Sequence, residues 1–385
     1  MRNTGFYIFF SIVIVLYILI NFSICNRGLQ ALQYYPRIKP WYLLIFITLS
    51  SAYIAGRFAE RLIPSAFSNT LTFAGSFWLA AMIYFSLAII FLDLIRLFNS
   101  LFHFFPAALI INYPRVKFIT GITILVSVIV ILIAGHINAV KPKITKLDIH
   151  IAKKAGTISK LKIAAVSDIH LGNIIGRSRL EKIVFGINNL NPDLVLIAGD
   201  VFDEDISIIS NDSIGEVFKS IRSEYGVFFI PGNHEYYGDI EKAVKYLSSQ
   251  NIVVLRDSVV CINNSFYLAG RDDKEFKRFS GRSRKTIDSL LQGLDKTLPV
   301  ILMDHQPFKL NESVLNGVDL QISGHTHHGQ LFPANIITGW IYEISHGYKK
   351  SGDTHFYVSS GAGTWGPPVR IGSTPEIVNI TIDFE

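Results

Sequence analysis

Cysteine is nearly missing from this chain of 385 residues: only Cys25 and Cys261 occur. Two thiols so far apart give no disulfide framework and no thiolate zinc knot, and they leave the redox compartment open. Charge is scarce too. Asp, Glu, Lys and Arg make up 17% of the residues and half are apolar, against roughly 25% charged in an ordinary soluble domain. The shortage is local. Before about residue 137 the chain runs in blocks of Ile, Leu, Phe and Val, and the rest has an ordinary soluble composition. The formal net charge is +6. Its Lys and Arg lie mostly between or beside the apolar blocks, where membrane proteins keep them. Anionic lipid accounts for that excess, and no nucleic-acid partner is expected.

The apolar blocks are Tyr7–Ile24, Trp41–Gly56, Leu71–Leu92 and Phe118–Ala134. Each approaches the ~20 residues needed to cross a bilayer. No small-x-small cleavage site follows the first block closely and more blocks come next, so it reads as a span rather than a signal peptide. Phe98–Ile111 is short and holds Pro106, which points to a re-entrant or interfacial piece. Residues 1–137 are therefore expected to form a membrane domain of about four helices. Two charge signals conflict on its orientation, and an outward-facing soluble half is the expectation adopted. Arg27, Arg37 and Lys39 share one side with Arg115 and Lys117 if four spans are counted, which puts the soluble half outside. Lys141, Lys143, Lys146, Lys153 and Lys154 follow the fourth span and argue for the inside. Asp93 and Arg96 fall at a helix end, where a charge reaches the interface. No paired charge within the spans marks a transport path, so the spans read as an anchor.

A basic connector over residues 138–159 leads into a different pattern, with an edge strand to begin it. Short apolar strands are expected at Leu161–Val166, Leu194–Ala198, Gly226–Ile230, Ile252–Leu255, Phe266–Ala269, Val300–Met303 and Leu320–Ser323, with two more near His355–Ser359 and Glu376–Asp383. Helical spacing occupies Arg179–Asn188, Ile214–Ser223, Ile240–Ser248 and Lys285–Gln292. This alternation is that of an α/β domain, residues 160–385. Polar clusters stand just past the C-terminal ends of five strands, the edge where such sheets keep their ligands.

The clusters supply Asp168, His170, Asp200, Asn233, His305, His325 and His327. Imidazole, carboxylate and amide donors without thiolate suit borderline and hard divalent ions. Two such ions about 3.5–4 Å apart can activate water and clamp a phosphoryl group in line. Asp168 and His170 are two apart, so in an extended segment both point one way and can grip one ion; His325 and His327 share the spacing. Glycines 199, 232 and 324 permit sharp turns at the strand ends. Each cluster alone has an ordinary reading as turn or surface polarity, and Asp304 could simply pair with a lysine. Five clusters in this order have no joint structural explanation.

At these residues the chain resembles the calcineurin-like metallophosphoesterases, whose signature runs Asp-x-His, Gly-Asp-x-x-Asp, Gly-Asn-His-Asp/Glu, a separate His, then Gly-His-x-His. All five elements lie in order between Asp168 and His327. His305-Gln306-Pro307, Gly324–Gln330 and Ser360–Thr364 resemble the family's bacterial membrane-associated branch, which implies a bacterial plasma membrane. The resemblance implies two facing mixed β-sheets flanked by helices and two divalent ions, Mn, Fe or Zn. It places Asp168, His170, Asp200 and His327 on the first ion. Asp200 bridges to the second, which Asn233, His305 and His325 complete. It gives His234 the role of contacting the phosphate and protonating the leaving group. Asp203 is expected to orient a neighbouring histidine, and Glu235 is a known variant of the commoner Asp. His328 either lines the pocket or faces solvent, and Arg370 either contacts phosphate or lies on the surface.

The expected reaction is in-line attack at phosphorus by a hydroxide bridging the ions. A membrane anchor favours a lipid or lipid-linked phosphodiester or pyrophosphate. Soluble diesters and monoesters remain, as does a membrane sensor or scaffold carrying a metal-binding module, which paired charges inside the spans would favour.

Overall fold

The computed structural model describes residues 2–63, 65–203, 206 and 214–385. The chain divides into two compact units, Met1–Gly135 and His136–Glu385. Four long apolar helices come first: α1 (Arg2–Ala31), α2 (Lys39–Leu62), α3 (Ala66–Phe102) and α5 (Tyr113–Ala139), with a short α4 (Ala107–Ile111) between the last two. Each of the four is long and apolar enough to cross a membrane. Within the first unit α2 and α3 pack closely. Gly75 approaches the Tyr53 backbone so tightly that a Cβ would lie 2.1 Å from its nitrogen. The expected interfacial piece at Phe98–Ile111 is broken at its middle: α3 runs on to Phe102, His103 closes it in a left-handed conformation, and Pro106 opens α4.

The spans do hold a paired charge, which the sequence reading had excluded. Arg27 of α1 donates two hydrogen bonds to Asp93 of α3, at 2.8 and 2.7 Å, and Arg96 adds a third at 3.1 Å. Linear sequence could not show it, because the partners lie on different helices. At 1.5 Å per residue α3 is roughly 55 Å long, well beyond a ~30 Å hydrocarbon core. Asp93 therefore has room to sit outside the apolar layer, and the pair works as a clasp between helices.

The second unit is an α/β sandwich. One six-stranded sheet has the order β1 (Lys143–Ile151), β12 (Glu376–Phe384), β2 (Lys160–Val166), β3 (Leu194–Ala198), β4 (Val227–Ile230), β5 (Ile252–Val254). The other runs β10 (Gly347–Ser351), β11 (Thr354–Val358), β9 (Leu320–Ser323), β8 (Val300–Met303), β7 (Phe266–Gly270), β6 (Ser258–Ile262). In the first, β2 to β5 are parallel and β12 is antiparallel to β2. In the second, β7, β8, β9 and β11 are parallel, with antiparallel edges.

Strands covered on both faces need apolar residues at every position, which is why they read as unbroken runs. The period of two then sorts them. Ile163, Ala165, Leu194, Leu196 and Phe228 face the other sheet, meeting Phe266, Leu268, Ile301 and Leu320. Ala164, Val166, Val195 and Ile197 face outward onto Leu180, Ile183 and Ile187 of α6 (Arg177–Asn189). Ala269, Val300 and Leu302 do the same under Ile287, Leu290 and Leu291. Fully burying one such side chain contributes about 1.5–3 kcal/mol.

Some elements differ from their sequence reading. Residues Ile214–Ser220 tighten into a 3-10 helix, with Gly215 pressed against the Tyr246 ring and its N–H donating to the Tyr246 hydroxyl. The helix expected over Lys285–Gln292 shrinks to one turn, Ile287–Leu290, capped by Thr286. Strands β6 and β10 and the helix Ala334–Ile341 had no sequence signal. Both strands lie at sheet edges: β10 is mostly exposed and needs no apolar pattern, while β6 is a short, half-buried stretch.

Candidate metal centre

The parallel strands of both sheets deliver their following loops to one place. Asp168 and His170 follow β2, Asp200 follows β3, Asn233 and His234 follow β4, His305 follows β8, and His325 and His327 follow β9. One group of ligand atoms is formed by Asp168, His170 and His327, and another by Asp200, His305 and His325, each within 4.8 Å of one another. Each group thus takes residues from both sheets.

The backbone does this by a route the spacing did not suggest. Asp168 and His170 are not extended: their φ angles are +51° and +53°. Asp200, His325 and His327 are left-handed as well, at +54°, +72° and +46°. Such conformations are costly for residues with a Cβ and persist where surrounding structure fixes them. Here the Asp168 and His170 N–H groups donate to the Gly199 and Asp200 carbonyls at 3.0 Å, prolonging the β2–β3 ladder past its end. The extended-segment argument from the two-residue spacing does not apply to His325 and His327 either. With both left-handed, the side chains part, His325 to the Asp200 group and His327 to the Asp168 group.

Of the three glycines read as turn residues, only Gly199 needs positive φ, at +87°. Gly324 matters through close approach, since a Cβ there would lie 2.3 Å from Asp168 Oδ2.

Asp200 lies between the groups. Its Oδ2 is 3.2 Å from His305 Nε2 and 3.9 Å from His170 Nε2, and its Oδ1 accepts from the His234 N–H at 2.9 Å. Burial alone would raise this carboxyl, but His305, with His234 and His170, holds it well below the ordinary range. Burial would lower His305, and Asp200 overrides it and drives the imidazole well up. His325 is pushed down to about 3 by burial, with His305 adding to the effect. Nδ1 of His305 donates to the Ala198 carbonyl at 2.7 Å, which turns the lone pair of Nε2 toward the cluster.

The residues present fit divalent ions. His305 Nε2 and Asn233 Oδ1 are buried with no hydrogen-bond partner among the described residues. Such orphaned atoms cost about 1–3 kcal/mol each unless something binds them. A further grouping joins His170, Asp203 and His234 on the other side of the His170 ring. Nδ1 of His234 donates to the Asp203 carbonyl, while Asp203 Oδ1 stands 3.7 Å from His170 Nδ1 and 3.8 Å from His234 Nδ1. Asp203 therefore flanks two histidines.

A metallophosphoesterase of Aquifex aeolicus, itself uncharacterised, is 33% identical over 226 residues, covering 58% of this chain and 85% of the relative. The family model described as calcineurin-like phosphoesterase matches residues 161–329. The chain belongs to the calcineurin-like metallophosphoesterases. A Danio rerio transmembrane protein with a metallophosphoesterase domain is 35% identical over 266 residues, 66% of this chain and 60% of the relative. An uncharacterised metallophosphoesterase of Helicobacter pylori strain J99 is 35% identical over 246 residues, covering 63% and 64%. The chain thus spans under two thirds of the length of these two relatives. The likeness crosses from bacteria to vertebrates, so it is broader than the bacterial branch and does not by itself assign the chain to one.

Around the metallophosphoesterase cluster stand residues that sequence reasoning misjudged or missed. Arg370 is neither at the surface nor free for phosphate: it is 1% exposed and donates to the Ser360 and Gly363 carbonyls and to Ser373 Oγ. Its Nη2 also stands 3.1 Å from His327 Nδ1, on the side of the ring away from the cluster. Asp304 pairs with Arg271 and Arg284, not a lysine. Glu235 accepts from the N–H groups of Asp200, Val201, Phe202 and Gly232, tying the loops after β3 and β4 together. His328 is half-buried and lines a cavity of about 380 Å³ with His346, Ser360 and Glu376. Aromatic rings flank the histidines: Trp365 and Tyr237 stand 6.0 and 5.5 Å from His234, and Tyr342 6.1 Å from His325. Lone aromatics in loops carry no sequence pattern.

Proposed function

We propose that this chain is a membrane-anchored, dinuclear metal-dependent phosphoester hydrolase, with residues 1–137 as anchor and residues 160–385 carrying the reaction. The observation that carries this is the pair of ligand groups sharing Asp200 as neighbour, with buried donor atoms left orphaned. Asp168, His170 and His327 would hold one ion, Asn233, His305 and His325 the other, and Asp200 both. Bound there, Mn, Fe or Zn would supply water activation and charge neutralisation on the phosphoryl oxygens.

The remaining chemistry belongs to the chain's own groups. His234 is 6% exposed and its ring stands edge-on to His170, 4.6 Å between centroids. With Nδ1–H held by the Asp203 carbonyl, the imidazolium form carries its second proton on Nε2 and passes that proton to the departing oxygen, leaving the neutral ring. Glu235 keeps the loops of Asp200 and Asn233 at fixed separation. A lipid or lipid-linked diester or pyrophosphate is the substrate class that the four apolar helices favour.

The test is hydrolysis of bis(p-nitrophenyl) phosphate by the detergent-purified full chain with Mn, Fe or Zn, beside Asp200→Asn. Metal-dependent turnover lost in the variant supports the reading. Turnover indifferent to Asp200 would sink the site assignment, and no turnover with any ion would favour a binding module. The Arg27–Asp93 pair favours a second reading, a membrane sensor with a regulatory hydrolase domain. Under the anchor reading Arg27→Ala leaves turnover unchanged; a several-fold change in kcat would support the sensor.

A further inference from the structure

Immediately after the loop that carries His325 and His327, the chain forms the helix Ala334–Ile341, and no residue of that helix is buried. Ile336, Ile337, Trp340 and Ile341 are 43%, 51%, 81% and 58% exposed. The pairs 336/340 and 337/341 are each one helical turn apart, so the four side chains form one continuous apolar face. Phe332, just before the helix, is 46% exposed, and Trp365, held to the same loop through Gln330, is 58% exposed. Residues 333–342 contain no charged side chain. An apolar face of this kind in water is a liability unless something covers it.

The face is fixed to the metal loop. Gly329 packs so closely on the helix start that a Cβ would lie 2.2 Å from the Asn335 nitrogen. Gln330 donates to the Trp365 and Pro367 carbonyls, both at 2.9 Å, and Phe332 N–H donates to the Ile371 carbonyl at 2.7 Å. The same 365–373 segment is held by the last turns of α5. Nδ1 of His136 donates to the Pro368 carbonyl at 2.7 Å, and Asn138 donates to the Arg370 and Ser373 carbonyls at 3.0 and 2.8 Å. Since α5 is apolar and long enough to span, its last residues mark where the chain leaves the bilayer. The apolar helix is two hydrogen-bonded segments away from that point. Exposed Lys141, Lys143 and Lys146 follow at once, the charges that anionic headgroups attract.

We infer that the helix Ala334–Ile341, with Phe332 and Trp365, lies in the lipid headgroup layer and makes the membrane surface one wall of the entrance to the metal centre. A short apolar helix carrying Trp at its exposed face matches the chemistry of that layer, where indole rings concentrate. The inference rests on the hydrolase reading for its consequence: the substrate is an amphiphile whose phosphoester enters from the bilayer while its chains stay in it. Trp365 ties this arrangement to the site: its ring lies 6.0 Å from His234 and its carbonyl accepts from Gln330.

The experiment places nitroxide labels on the full chain in vesicles of neutral and anionic phospholipid, after replacing Cys25 and Cys261 by Ser. Labels go on Ile337→Cys, Trp340→Cys and, as a control elsewhere on the same unit, Leu315→Cys, which is 76% exposed. At 337 and 340 relaxation by oxygen should exceed that by a water-soluble nickel chelate, with the reverse at 315. Nickel access at 337 and 340 equal to that at 315 overturns the inference. Immobilised labels that crosslink two chains overturn it in favour of a second copy. In parallel, Ile337→Asp/Trp340→Asp should lower turnover of a vesicle-borne phospholipid at least tenfold and leave that of bis(p-nitrophenyl) phosphate unchanged. Equal loss on both substrates overturns the delivery role. If the unaltered chain hydrolyses neither substrate, the hydrolase reading fails while the label depths still decide where the helix lies.

Discussion

Nε2 of His170 and Nε2 of His327 lie 3.0 Å apart, one delivered by the first sheet and the other by the second. Asp168 Oδ1 stands 3.5 Å from the same His327 nitrogen. Three donor atoms this close across a sandwich interface are an arrangement that a cation stabilises. A ligand that binds only the folded chain at 100 times its Kd adds about 2.7 kcal/mol. Adding Mn, Fe or Zn to chelator-treated protein should therefore raise its Tm by several degrees. His327→Ala should remove most of that rise. An equal rise in the variant would show that the ions bind elsewhere.

His234 separates holding from reacting. Its replacement by Ala should leave two ions per chain in elemental analysis and lower kcat by about 10²–10⁴, the usual worth of a positioned acid. The loss should shrink for a substrate whose leaving group departs without a proton, such as p-nitrophenolate. A uniform loss across leaving groups would remove His234 from proton transfer.

Gly324→Ala tests the close approach at the metal loop. The new Cβ would meet Asp168 Oδ2 at 2.3 Å and Ser167 Oγ at 2.5 Å. Overpacking of this kind costs about 1–3 kcal/mol. Asp168 should be displaced from its group, so metal content should fall toward one ion per chain in the folded variant. Full metal content with unchanged Tm would mean that the loop relaxes freely.

Glu376 offers a pH signature away from the ligands. Burial alone would raise its carboxyl, but His346, Thr145 and the Ser360 N–H hold it at about 2, against an ordinary 4.5. A depressed carboxyl stabilises the fold above its unfolded value and loses that contribution as pH falls through the folded one. About 3 kcal/mol is thus present at pH 7 and fades between about pH 4.5 and pH 2. Glu376→Gln should lower the unfolding free energy by about that amount at pH 7, and the gap should narrow below about pH 4.5 and close only as pH approaches 2. A gap of the same size at both pH values would assign the effect to packing rather than charge.

Much of this molecule is legible in one dimension. Runs such as Leu194–Ala198 are apolar throughout because both faces of a central parallel strand are covered. The cluster residues are visible because chemistry restricts which side chains can hold a divalent ion. What escapes has a physical reason in each case. Arg370 looks like any basic residue until the fold buries it among carbonyls. The Arg27–Asp93 clasp joins helices distant in sequence. The left-handed turns at Asp168 and His170 are fixed by hydrogen bonds to the next loop, which linear sequence does not display. The helix Ala334–Ile341 is apolar on its exposed side, the reverse of the pattern that marks a surface helix.

Each ligand group draws on both sheets: Asp168 and His170 meet His327, and Asp200 meets His305 and His325. A slip of one β-layer past the other by a single residue, about 3.3 Å, would exceed the tolerance of either group. The centre is therefore an alignment gauge for the sandwich. A chain whose layers assemble out of step is inert rather than wrongly active, and completing the fold and arming the chemistry become one event.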